Sequence, residues 1–444
     1  MSYGAALEGA VALQTAIKAF SLAPSAAGLD ACRTAWLAAR EAYSPTEVYR
    51  FVGGPIDAEP ANLEVKINGW PLDEQWLDYT RDTPASGIIN AVQEYPAFTG
   101  VLLAELNEKG GEKNIATGFH ALEFLLWGQD GNPTGPGARP FTDFVAGGTA
   151  AQQERRRAYL VAAVDLLVEQ LAAVRHQWAP TGTYRAAFIA DPATGLKQAL
   201  TGAIMLAGDE LSGERLAVAY ETQDQEEEQS CFSDNTHRDT IRNIEGVRRV
   251  WLGHFDQRVG PGLQEVVAAK NPEVASRTTA RIEAAFAAAK SIPVPFDQAI
   301  LGRDGDPGRA AVLLTIQELE NAADELVAAA KVVGIDIEFG ANANNAIVGI
   351  KDLQAHLPRI VAAVQANDAA AAKAGVDVCF DRWLRFETAI SREAPTDYKR
   401  IESAMNAVKN EAVRAKKPDV AKVTAATTAL SQALEAVLPK LKTE

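Results

Sequence analysis

Little in this sequence could build a sheet, a membrane span or a thiol–metal centre. Aromatic residues are only 7% of the 444, and no stretch sustains the period-2 alternation of a half-buried strand, so almost no sheet is expected. No uninterrupted apolar run reaches the roughly 18 residues of a transmembrane helix. The opening Met1-Ser2-Tyr3-Gly4 carries neither the basic nor the apolar region of a leader. The chain is therefore expected either to be cytosolic or to have had a signal segment removed. Of three cysteines, Cys32, Cys231 and Cys379, none stands in CxxC spacing, which excludes a zinc knuckle or a thioredoxin-like site. An odd count permits at most one internal disulfide; Cys231–Cys379 is the pairing considered, against three buried thiols. Basic residues number 43 against 58 acidic, a net charge of −15. That balance excludes a nucleic-acid surface and suits either plain solubility or the attraction of cations. The HExxH motif of zinc peptidases and the CxxCH of covalent haem are both absent.

What the sequence has in quantity is alanine, with Leu, Val, Glu, Gln, Lys and Arg between, the composition of helix packed on helix. Apolar residues are 47% of the chain, and its length gives a prior of two or three units. Residues 4–20 and 26–43 read as amphipathic helices, the second with Leu29, Cys32, Trp36 and Ala39 on one stripe. Pro45, the 53–60 segment and Pro71 break the pattern, so 52–84 reads as a long structured loop. Further helices are expected over 85–108, from Thr117 through Trp127, and over 150–178 and 196–220, with loops over 130–148 and 179–195. The second half repeats the style from 237 to 441, interrupted by loops over 291–308 and 334–343. The expected fold is all-α: one helical bundle over 1–210, a second over 211–444, and long structured loops.

The segment with chemical promise is GFHALEFLLWGQD, 118–130. His120 and Glu123 are three apart and share a helix face, and an imidazole and a carboxylate so placed can bind one cation. The bare HxxE spacing is a weak signal, because surface and capping pairs share it. Here the pair is set among Phe119, Leu122, Phe124, Leu125, Leu126 and Trp127. A buried His and Glu need partners, and a cation would satisfy both. Further carboxylates could come from Glu41, Glu47, Asp57, Glu64, Asp73 or Glu74, each of which reads alone as a solvated charge or a cap. A second cluster is CFSDNTHRD, 231–239. Ser233, Asp234, Asn235 or Thr236 could cap the next helix; the functional reading sets Asn235, His237 and Asp239 against the site of the first half.

GFHALEFLLWGQD resembles the GxHxxE signature of the imelysin-like family. AWLAAREAYSPTEVYRFVGGPID (35–57), NGWPLDE (68–74), GPGARPFTDF (135–144) and CFSDNTHRD (231–239) resemble its iron-regulated protein A branch. The resemblance implies two helical bundles with the GxHxxE site near their interface, and export to the periplasm or outer membrane with a leader or lipid anchor. Carried over, the metal ligands are His120 and Glu123, with Glu47 and Asp57 as partners. Trp36, Arg40, Asn235 and His237 would line the adjoining ligand pocket.

Three functions follow in order. The first is an exported iron-uptake component that binds a metal ion, iron before zinc, or an iron-bearing ligand, and that works with an outer-membrane receptor or transporter. Mixed imidazole and carboxylate ligands suit iron or zinc better than calcium. Arg40 could instead replace the metal and make a site for a small anion. The second is a zinc peptidase, which needs an open metal position and a general base that the motif does not supply. The third is a haem-binding protein with a histidine axial ligand.

Overall fold

The protein is described from a computed structural model covering residues 2–58, 61–111, 113–132, 134–255, 258–303, 305–337, 343–384, 386–387, 390, 394–415 and 417–441. The expected loop over 334–343 lies partly outside these residues. Helix dominates. Among the described residues the sheet is one antiparallel pairing of His254–Phe255 with Arg258–Val259. No described helix is long and apolar enough to cross a membrane.

Helix α1 (Ser2–Leu22) buries Tyr3, Ala6, Ala10, Leu13, Ile17 and Phe20, a 3–4 spacing that lays one stripe on the core. Helix α2 (Ala26–Tyr43) starts where the Ser25 hydroxyl accepts from the Gly28 N–H at 3.1 Å. Its stripe buries Leu29, Cys32, Trp36, Ala39 and Tyr43. Helix α3 (Gly118–Trp127) buries all ten of its residues and forms the axis of the core, packed against α2 and α4 (Gln153–Gln177). Beyond it come α5 (Pro192–Met205), α6 (Thr236–Leu252), α7 (Pro272–Ala289) and α8 (Pro307–Val332).

The chain separates into two compact units, Met1–Ile337 and Glu338–Glu444, so the division does not fall between residues 210 and 211. Residue 210 lies inside a helix: α5 runs on through π-helical turns over Leu206–Ala217 to Val218–Thr222. Cys231 and Phe232 also belong to the core that begins at Tyr3. The second unit is built from α9 (Ala343–Gln365), α10 (Ala369–Leu384), α11 (Pro395–Lys409) and α12 (Val420–Val437). Ile350, Leu357, Trp383, Met405 and Leu434 contribute to its separate core.

The helix expected over 85–108 shortens to Gly100–Leu106. Residues 86–91 instead fold back on the 76–78 backbone, with Ile88 N–H donating to Trp76 O at 2.9 Å and Ile89 N–H to Leu77 O at 3.2 Å. Conversely, the loops expected over 52–84, 179–195 and 291–308 contain short helices at Leu63–Ile67, Glu74–Leu77, Thr183–Ala190 and Phe296–Ile300. All three cysteines are free and buried, so the considered Cys231–Cys379 bridge is not formed.

Candidate functional site

Helix α3 begins at Gly118, whose φ of 78° sets its backbone against the Ile67 carbonyl. Its end is held by a set of donors. Arg33 donates to Leu126 O through Nε and Nη2 at 3.1 and 2.9 Å, and Arg139 N–H donates to Trp127 O at 2.7 Å. The last two carbonyls are therefore satisfied without water. Within this apolar helix only His120 and Glu123 carry ionisable side chains, at 1% and 0% exposure.

The pair is bonded to itself. His120 Nδ1 lies 2.8 Å from Glu123 Oε2, while Oε1 accepts from Ser233 N–H at 3.0 Å and from the Ser233 hydroxyl at 2.6 Å. Nε2 of His120 is buried and has no hydrogen-bond partner. Glu123 thus spends one oxygen on the imidazole and the other on Ser233. Burial pushes the Glu123 carboxyl up to about 8, with Asp239 adding to the rise and Ser233 and Arg40 opposing it. Burial, then Arg40 and Arg215, hold His120 well below its ordinary value. Both Ser233 donors occupy Oε1, so Oε2 is the oxygen that shares a proton with His120 Nδ1.

Around the dyad runs a chain of buried charges. Arg40, fully buried, donates from Nε to Asp239 Oδ1 at 3.0 Å and from Nη1 to Asn68 Oδ1 at 2.5 Å. Its Nη2 lies 2.9 Å from the same Asp239 oxygen without hydrogen-bond alignment. Asp239 also accepts from the Ser44 hydroxyl at 2.9 Å and the Ser230 hydroxyl at 2.5 Å. Asn68 carries the network onward, donating to Glu47 Oε2 and Glu64 Oε1, each at 3.2 Å. Glu47 Oε2 further accepts from Arg215 at 2.5 Å and Arg50 at 3.2 Å, while its Oε1 is unpartnered. Burial alone would raise Glu47, but Arg215, Arg50 and Arg40 outweigh it and keep the carboxylate ionised.

Of the residues expected from sequence, the structure joins His120 to Glu123 and Arg40 to Asp239, and brings Glu47 into the same network through Asn68. Asp57 is used elsewhere: its carboxylate accepts from Gly54 N–H at 2.6 Å and Val52 N–H at 3.1 Å, bracing its own loop. Trp36 donates from Nε1 to Phe119 O at 2.9 Å and packs against Phe119 and Trp127, a core role. Half-buried His237 pairs Nδ1 with Asp234 O at 3.1 Å, and Asn235 occupies the N-cap position of α6 with its buried Nδ2 unpartnered. Glu41 pairs with Arg238 at 2.6 Å. Among the described residues no group of three or more His, Cys, Asp and Glu side chains converges to hold a metal ion. Sequence reasoning missed Asn68, Arg215 and Glu210. Asn68 stood inside the NGWPLDE match, whereas the other two look like solvated charges on an amphipathic helix.

Glu210 gives the network a pH signature. Burial opposes its ionisation, but Arg50 at 3.0 Å and Arg215 at 2.6 Å overcome this and hold it at about 2. An unfolded glutamate titrates near 4.3. Its contribution is therefore complete above that value and is lost as pH falls toward about 2. Glu210→Gln is expected to destabilise the protein at neutral pH, with the deficit shrinking toward zero in urea titrations carried into this acid window.

A helical protein with a buried histidine–glutamate dyad, wired into an arginine–carboxylate network, is the class that fold and site define. The imelysin (peptidase M75) family matches residues 1–326, and the chain belongs to that family. It is 25% identical over 337 residues to iron-regulated protein A of Synechococcus elongatus, covering 73% of this chain and 80% of that one. In fold it is similar to a crystal structure from Parabacteroides distasonis described as an iron-regulated protein A precursor. There the TM-score is 0.59 at 16% identity, over 75% of this chain and 90% of that one. The second compact unit lies beyond the family match.

Proposed function

We propose that this protein is an exported component of iron handling that binds a small iron-bearing anion, or an iron ion, at the His120–Glu123 dyad. The observation that carries the reading is the buried, unpartnered Nε2 of an imidazole whose other nitrogen is fixed by a carboxylate. Ligating histidines characteristically give their second nitrogen to such a carboxylate. Nε2 is then the atom that meets the guest, and Glu123 the group that aims it. Arg40 and Arg215 oppose positive charge on His120. That field favours a guest arriving with its own anionic ligands over a bare divalent cation. The dyad is closed to solvent, so binding requires local opening. Likeness to iron-regulated relatives supports placement in the periplasm or at the outer membrane, beside a receptor or transporter.

Zinc hydrolysis takes second place, because Glu123 is engaged by Ser233 and His120 and is not free as a general base. Haem takes third, because all ten residues of α3 are buried by packing.

The test is metal content of purified protein after loading with ferrous iron, ferric iron and a ferric carboxylate chelate. Near-stoichiometric iron is expected in the natural protein, none in His120→Ala, and roughly 10–100-fold weaker binding in Glu123→Gln, with helicity unchanged in both. Glu123 gains its negative charge as pH rises through about 8, so an iron-bearing anion should bind more weakly there and a bare cation more tightly. Stoichiometric zinc lost in the same variants moves the weight to hydrolysis. No metal under any loading sinks the reading.

A further inference from the structure

The helix that starts at Pro192 changes its winding before it ends. Over Leu206–Ala217 the backbone is π-helical, and Val218 N–H closes the run by donating to Gly213 O, five residues back. α-Helix stands on both sides, over Pro192–Met205 and Val218–Thr222. π-Helix is rare and occurs mostly as single turns, frequently at functional sites, whereas this run is 12 residues long. Rewinding it to α costs few backbone hydrogen bonds, since each N–H trades the carbonyl five residues back for the one four back. The wider winding is therefore held by side chains.

Arg215 and Glu210 are those side chains. Buried Arg215 donates to Glu210 Oε1 from Nη2 at 2.6 Å and from Nε at 3.1 Å. On an α-helix, residues five apart point about 140° apart around the axis, outside the i+3 and i+4 positions that meet. A winding with i→i+5 bonds stacks them one above the other. The Glu210–Arg215 pair therefore belongs to the π winding alone. The same guanidinium donates from Nη2 to Glu47 Oε2 at 2.5 Å and from Nη1 to Gln229 Oε1 at 3.1 Å, while Arg50 reaches Glu210 Oε1 at 3.0 Å. Gln229, itself buried, precedes Ser230, whose hydroxyl holds Asp239. It leads into the turn where Ser233 closes on Glu123.

We propose that the 206–217 segment is a winding switch that admits the guest to the His120–Glu123 dyad, an inference that rests on the dyad being the binding site. In the π winding, Glu210 holds Arg215 on Glu47 and Gln229, and the site is shut. In the α winding, Arg215 rotates off Glu210, leaves Gln229, and frees the turn that carries Ser233. Because His120 and Glu123 are buried, a guest reaches Nε2 only when part of this shell moves. The segment has two windings with similar backbone bonding, and its side-chain bonds favour the closed one, as a two-state element requires.

The experiment is hydrogen exchange of the full chain, read by mass spectrometry on peptides covering 206–217 and 228–235, with stopped-flow association of ferric nitrilotriacetate in parallel. Glu210→Gln should speed exchange of both segments and association of the chelate on the order of tenfold, the loss of a charge-assisted hydrogen bond. Exchange of the α1 peptide, 2–22, should stay unchanged and so exclude global unfolding. A locked π winding should do the opposite. Gly213→Cys with Val218→Cys sets two thiols five residues apart, where a disulfide spans the π winding but not the longer separation on an α-helix. A Cβ at Gly213 meets nothing within 4 Å, and the three natural cysteines are buried. The bridged protein should exchange and bind roughly tenfold more slowly, and a reductant should restore both rates. Exchange reads the opening without any ligand. A bridge that slows 228–235 in a chain that takes up no chelate would thus count against the dyad and leave the switch standing. Exchange of 228–235 that ignores both the bridge and Glu210→Gln would overturn the proposal, as would natural association rates in the bridged protein.

Discussion

Asp78→Asn should destabilise the protein by about 3–5 kcal/mol, the range for removing one partner of a buried ion pair. Asp78 is fully buried and serves two guanidiniums: Arg156 through Nε at 2.6 Å and Nη2 at 2.9 Å, and Arg139 through Nη1 at 2.7 Å. Both arginines are themselves buried. Asparagine keeps the volume and removes the charge, leaving two buried cations with Asp143 standing 3.8 Å from Arg139. Arg139 lies over the Phe124 ring at 5.3 Å and donates to the last turn of α3, so the loss reaches the helix that carries the dyad. Chemical denaturation checks the magnitude. A double variant, Asp78→Asn with Arg139→Gln, should cost less than the sum of the two single changes, because the first change already strands the second charge; strict additivity would refute this account. Burial opposes Asp78 ionisation, but Arg139 and Arg156 outweigh it and hold the carboxyl below its usual range. The contribution is therefore complete above the ordinary aspartate value and declines as pH falls through the lowered one.

How far the sequence foretold this arrangement differs by element. The stripe of α1 and that of α2 are readable, because each helix buries one face and its apolar spacing says which. His120 and Glu123 are readable as neighbours, because three residues of helix bring side chains together. That Glu123 is held by Ser233 as well as by His120 is not readable, since Ser233 lies 110 positions away. Arg215 and Asp78 were invisible for the same reason: their partners Glu47 and Arg156 lie 168 and 78 positions off. An isolated charged residue on a helix looks solvated until tertiary packing buries it. The boundary at 210 failed because the helix from Pro192 continues through it without a break. The 85–99 segment carries enough apolar residues for a helix, but its backbone is claimed by residues 76–78.

Gly118→Ala should have the largest effect on the site for the smallest chemical change. Gly118 holds φ at 78°, a conformation costing an L-residue about 1–2 kcal/mol. A Cβ there would lie 2.4 Å from Ile67 O, 2.6 Å from Ile67 C and 2.7 Å from Lys66 O, all backbone atoms that no rotamer can move. The Lys66 carbonyl is also the acceptor for the Thr117 hydroxyl at 2.7 Å, so displacing it breaks the contact that seats the start of α3. Two residues on is His120, and Asn68, the residue after Ile67, joins Arg40 to Glu47. A shift of the 66–68 backbone therefore disturbs the dyad and its charge network together. The variant should lose on the order of 3 kcal/mol or more in stability, strain and clash combined, and should lose ligand binding even where it stays folded. Measuring both separates the effects: Gly118→Ala should bind no better than His120→Ala at temperatures where circular dichroism shows native helicity. Full binding in a folded Gly118→Ala protein would mean that the 66–68 backbone yields at little cost, and that the glycine of this motif serves the turn alone.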